Sequence, residues 1–135
     1  MVRAEGRHAE PSLGFTLIEL VVVVTILGIL LGIAVPNYRA AILQAKEAVL
    51  KEDLFRFRDT IDQYQADKGK YPASLESLVT DGYLRSVPKD PFTGARDWVE
   101  VPAEPEPGAT DAPGIYDVHS ASEAPGTDGT PYSEW

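Results

Sequence analysis

From Phe15 to Val35 the chain reads FTLIELVVVVTILGILLGIAV, twenty-one residues in which only Thr16, Glu19 and Thr25 carry polar side chains. As a helix rising about 1.5 Å per residue this stretch is about 31 Å long, the thickness of a hydrocarbon core of about 30 Å. A secretory signal would have a shorter apolar core and a small-residue cleavage site behind it. Here Pro36-Asn37-Tyr38 follows instead, so the pattern predicts a membrane-inserting helix. From Tyr38 the period changes. Ile42, Ala45, Val49, Leu50, Leu54, Phe57, Ile61 and Tyr64 recur mostly three or four apart, the stripe of an amphipathic helix. The other face carries Arg39, Lys46, Glu47, Lys51, Glu52, Arg56, Asp59 and Asp67, read as a solvated face. Glu47–Lys51 and Glu52–Arg56 stand four apart with the acid first, the better orientation for a surface pair.

Gly69, with Pro72 close behind, predicts the end of this helix near residue 68. If both segments join, one helix of roughly 80 Å results, with Pro36 expected to kink or locally melt it. Gly28 and Gly32 form a G-x-x-x-G, readable as close helix contact in the membrane or as ordinary glycine tolerance there. Beyond residue 69, Ser74 is placed to cap a short helix through Leu78 and Val79, closed at Asp81-Gly82. Pro88, Pro91 and Gly94 mark an extended turn region. Asp97 to Val101 and Gly114 to His119 are strand candidates, separated by an acidic, proline-rich loop from Pro102 to Pro113. The predicted class is therefore α+β: a long N-terminal helix on a small C-terminal domain with a short antiparallel sheet and loops. The expected divisions are 1–14, 15–36, 37–68 and 69–135.

Charge sharpens this division. Residues 1–14 are neutral, 15–36 carry −1, 37–70 carry +1, and 71–135 carry −9, the whole net charge of the chain. Nine of the eleven prolines also fall after residue 70, which sets that part off from the helix. Its acidity leaves no basic footprint for phosphates and argues against nucleic acid as a partner. With no cysteine, disulfides, thiolate zinc sites and cysteine catalysis are excluded. Only His8 and His119 are available for imidazole chemistry, and no nucleophile–base pair stands out, so the chain is not read as an enzyme. Basic groups at the two ends of the apolar segment balance, so charge leaves membrane orientation undecided. Glu19 is the unusual residue: a carboxylate in an apolar helix costs on the order of 2–3 kcal/mol to insert and commonly marks function, although near one end it can also reach the interface.

The string Leu13-Gly14-Phe15-Thr16-Leu17-Ile18-Glu19-Leu20 resembles the processing site of type IV prepilins and type II secretion pseudopilins. The resemblance implies cleavage between Gly14 and Phe15 by a prepilin peptidase, N-methylation of Phe15, and a role for Glu19 in neutralising the new amine of a neighbouring subunit during assembly. It likewise implies a break of the helix around Pro36 in assembled filaments. The tract GKYPASLESLVTDGYLRSVPKDPFTG, residues 69–94, is similar to the corresponding part of the major, G-type pseudopilins. That similarity implies a structural subunit of a homopolymeric pseudopilus. Minor pseudopilins and an inner-membrane assembly platform would be its partners. The chain would cross the bacterial inner membrane once, with its C-terminal domain in the periplasm, supporting export of folded proteins across the outer membrane. A type IV pilin subunit serving motility, adhesion or DNA uptake is the near alternative, and a monomeric membrane-tethered binding domain the more distant one. The resemblance further implies calcium in the C-terminal domain. Asp117, Ser120, Ser122, Glu123 and Asp128 offer hard oxygens within twelve residues, Asp128 and Glu123 foremost, against the simpler reading of a solvated loop.

Overall fold

The computed structural model describes Gly6 and residues 14–135. The remaining residues of the expected leader, including Arg3, Glu5, Arg7, His8, Glu10 and Leu13, lie outside the described residues. Two compact units divide between Arg39 and Ala40.

The first contains the apolar half of helix α1, Leu17–Lys68, which continues into the second unit. Every large apolar side chain from Phe15 to Val35 is exposed in the single chain, as expected of a surface that needs lipid or other helices to cover it. This helix is long and apolar enough to cross a membrane. Of the kink or local melting expected at Pro36, melting is absent in the single chain, where helical residues run through it without interruption. Pro36 removes one N–H, and thus one bond to the Gly32 carbonyl, while the turns on both sides stay helical.

In the second unit the helix buries one face from residue 47 onward: Glu47, Leu50, Asp53, Leu54, Phe57, Thr60, Ile61 and Tyr64. Leu50 to Tyr64 follow the predicted stripe. Ile42, Ala45 and Val49 depart from it and are exposed, the first two because the covered stretch begins only at residue 47, and Val49 because it lies off the buried face. Gly69, at φ 72°, ends α1 by donating its N–H to the Gln65 carbonyl, a left-handed position that favours glycine. Helix α2, Leu75–Thr80, is capped by Ser74, whose hydroxyl accepts the Ser77 N–H. Its Leu75 N–H is met by the Glu100 carboxylate, placing negative charge at a helix start where it is favourable.

Glu100 sits on β1, Val99–Pro102, which pairs antiparallel with β2, Ile115–His119. The register couples Val99 with His119 and Glu100 with Val118, with an irregularity between Val101 and Pro102. Leu75, Leu78, Leu84, Val87, Trp98, Ile115, Val118 and Tyr132 close over the α1 face as one core. Phe57 meets Trp98 edge-on at 4.9 Å, and the Trp98 indole N–H donates to the Pro88 carbonyl. That bond lets a large amphipathic ring enter the core without leaving its donor unpaired.

Candidate functional site

Two places carry the residues singled out in the sequence. The first is the start of α1. Gly14, Phe15 and Thr16 precede the helix in non-helical conformation, and Phe15 is 92% exposed. Thr16 and Glu19 then bond reciprocally: the Thr16 N–H donates to Glu19 Oε2 at 3.2 Å, and the Glu19 N–H to Thr16 Oγ1 at 3.3 Å. This is a capping box, which satisfies two of the orphan donors of a helix start. The carboxylate is therefore held one turn from Phe15, at the N-terminal end of the helix. The sequence drew attention to Glu19, but its pairing with Thr16 escaped notice even though T-x-x-E before an apolar run is itself a helix-start signature.

The second place is the tail that follows β2. Glu47 of α1 is only 6% exposed. Its Oε1 accepts the Thr127 N–H and the Tyr132 hydroxyl, each at 2.8 Å, and its Oε2 accepts the Thr127 hydroxyl at 2.7 Å. Reading Glu47 as part of the solvated face was wrong; its carboxylate turns into the tail and makes no ion pair with Lys51 among the described residues. The other expected surface pair, Glu52–Arg56, is present at 3.3 Å. Burial pushes the Glu47 carboxyl up, but the Thr127 and Tyr132 donors, helped by Lys51, overcome this and hold it below the ordinary range. The Tyr132 phenol is pushed up to about 12 by burial and by its bond to Glu47.

Around this clasp the aromatic rings interlock. Phe92 stacks on Tyr132 at 3.8 Å, and Trp135 meets Tyr132 edge-on at 4.9 Å. Lys51 Nζ lies 4.9 Å from the centre of the Trp135 ring, and the indole N–H donates to Thr130 Oγ1. Gly126 allows this closeness, since a Cβ there would stand 2.6 Å from the Trp135 ring.

The five residues expected to hold calcium are placed as follows. Asp117 Oδ1 accepts Arg58 Nε–H at 2.7 Å, and its Oδ2 lies 3.3 Å from His119 Nε2. Ser120 is fully buried and donates its hydroxyl to Asp90, itself fully buried at the start of the turn to Gly94. Ser122 donates its N–H to Ser120 Oγ, and Glu123 is exposed. Asp128 Oδ1 accepts both the N–H and the hydroxyl of Thr130, which hold its carboxyl below the ordinary range. Among the described residues no three of His, Cys, Asp and Glu form a group able to hold a metal ion. Arg58 and Asp90 were not singled out in the sequence, yet they anchor two of these residues. Arg58 Nη2 also donates to the Trp135 carbonyl at 2.7 Å.

An apolar helix long enough to cross a membrane, preceded by a glycine–phenylalanine junction and capped by a carboxylate, is the arrangement expected of the prepilin-type proteins that the sequence resembles. Residues 12–35 match the model of the prokaryotic N-terminal methylation motif. Three relatives each bear the name type II secretion system core protein G. That of Klebsiella michiganensis is 32% identical over 133 aligned residues, covering 85% of this chain and 87% of the relative. That of Escherichia coli K12 is 32% identical, covering 85% and 84%. That of Pseudomonas aeruginosa is 40% identical over 95 residues, covering 58% and 67%. No solved structure matches the chain. The chain belongs to the type II secretion system core protein G family.

Proposed function

We propose that the chain is a structural subunit of the pseudopilus of a type II secretion system, supporting export of folded proteins across the outer membrane. The observation that carries this reading is Glu19, the single charged group of the apolar segment, held by Thr16 at the helix start one turn from Phe15. After cleavage between Gly14 and Phe15, the amine of one subunit meets the Glu19 carboxylate of the next. Apolar faces that are exposed in the single chain then cover one another. A charge left alone in that setting is strongly unfavourable, so the pair sets the axial register of incoming subunits. The apolar N-terminal helix anchors the subunit in the inner membrane before it joins the filament. In this reading the C-terminal domain stands in the periplasm. A prepilin peptidase, an inner-membrane assembly platform and minor pseudopilins act on or with the subunit, and the chain itself catalyses nothing.

The test joins two measurements. Intact mass of the exported protein reports loss of the first fourteen residues and methylation of Phe15 together. Glu19→Ala then separates assembly from processing: cleavage proceeds, and filaments recovered by shearing or cross-linking are lost. A mass that retains the leader, or normal filaments from Glu19→Ala, overturns the reading.

A further inference from the structure

The tail from Ser120 to Trp135 has little regular structure. It contains an isolated bridge between Pro125 and Pro131 and a three-residue 3-10 turn, Tyr132–Glu134. No cysteine is present to tie it down. Resemblance to the G-type pseudopilins assigns this work to calcium, yet the residues present do not fit a calcium shell. Such a shell needs six to eight oxygens converging on one point. Here the oxygens of Asp117 face Arg58 and His119, the Ser120 hydroxyl faces Asp90, and Asp128 faces Thr130. Asp117, Glu123 and Asp128 do not come together as a group of three. Among the described residues, no buried side-chain nitrogen or oxygen is left without a partner.

We infer that this chain closes its tail with carboxylates and a guanidinium of its own, at three anchors, and not with a divalent cation. Glu47 grips Thr127 and Tyr132, Asp90 grips Ser120, and Arg58 joins Asp117 to the Trp135 carbonyl. Each anchor ties the tail or the strand before it to a segment distant in sequence, separations running from 30 to 85 positions. That is the crosslinking a bound cation performs. In a cation site several carboxylates share one positive ion. Here the Glu47 carboxylate accepts from three N–H and O–H donors of the tail and shares no cation. Hydrogen bonds to a charged acceptor are the stronger kind, which suits a small set of them to replace an ion. This closure does not depend on whether the chain polymerises.

The experiment uses the full chain in detergent micelles. Thermal unfolding and amide exchange of residues 120–135 are compared after treatment with EGTA and after addition of millimolar calcium chloride. The expected result is the same melting temperature and the same exchange in both. In the Thr127→Val/Tyr132→Phe double variant, which leaves Glu47 in place, exchange across residues 124–132 rises about tenfold or more. A calcium-dependent rise in melting temperature or slowing of exchange overturns the inference. So does a double variant whose tail stays as protected as before. Should that variant fail to fold, the calcium titration of the unaltered chain decides alone.

Discussion

Glu47 and Tyr132, eighty-five positions apart, are joined by a 2.8 Å hydrogen bond from the phenol to the carboxylate. Burial, and then this bond, raise the Tyr132 phenol to about 12; burial pushes the Glu47 carboxyl up, but the Thr127 and Tyr132 donors overcome it and hold the carboxyl below its ordinary value. The pair locks the last turn of the chain to the middle of a helix whose first half is apolar enough to enter a membrane.

Acid should therefore release the tail. A carboxyl whose folded pKa is depressed stabilises the fold above its unfolded value and loses that contribution as pH falls through the folded one. For Glu47, facing Thr127, Tyr132 and Lys51, the loss begins below the ordinary value of 4.5. Asp128 acts in the same direction below 3.8. Asp53, raised by burial and then by Glu52 and Asp90 against the pull of Arg56, acts in the opposite sense. Melting temperature measured from pH 7 to pH 3 should fall, and Glu47→Gln should flatten that fall while lowering stability at pH 7. At the alkaline end Tyr132 loses its contribution between pH 10 and about 12, and Tyr132→Phe removes that step.

Position 47 shows where local reading ends. Residues 47, 50, 54, 57, 61 and 64 step by threes and fours, so Glu47 stands in register with the buried stripe. Its charge assigned it to the solvated face, whereas the stripe was extended through Val49, Ala45 and Ile42, which are exposed. A carboxylate can be buried there only because Thr127 and Tyr132 arrive from the far end of the chain, and no local pattern announces that. The features that could be read were those fixed within a few residues: the apolar segment, the Gly69 stop, the Ser74 cap, and both strands to within two residues. Asp90 and Arg58 were opaque for the same reason as Glu47, their partners lying 30 and 59 positions away.

Gly114 is required by close approach. A Cβ there would stand 2.6 Å from the backbone carbonyl oxygens of both Tyr71 and Pro72, and the next residue, Ile115, donates its N–H to Pro72. Backbone cannot swing aside as a side chain can. Gly114→Ala should cost about 1–3 kcal/mol, read as a lower midpoint in urea with an unchanged slope. Gly28→Ala meets nothing within 4 Å and should leave that midpoint where it is.

The core over the helix should answer in the ordinary way to a cavity. Leu78 of α2 is fully buried against the α1 face. Leu78→Ala should destabilise by about 2–5 kcal/mol, and chemical denaturation measures it. Loss of α2 packing should also speed amide exchange at Leu84 and Tyr83, whose N–H groups donate to the Leu78 carbonyl.

The start of α1 offers a sharper separation of roles. Thr16 supplies one half of the capping box and Glu19 the other, so removing the hydroxyl frees the Glu19 N–H while leaving the carboxylate charge in place. Thr16→Ala should weaken the helix start by about 1 kcal/mol, and Thr16→Ser, which keeps the hydroxyl, should restore most of it. Amide exchange of Leu17 to Leu20 in micelles measures both. Because the Glu19 charge persists in Thr16→Ala, its ability to neutralise a neighbouring amine survives. Assembly by that variant should therefore exceed assembly by Glu19→Ala. Equal loss in the two would mean that the orientation of the carboxylate, and not its charge alone, governs subunit entry.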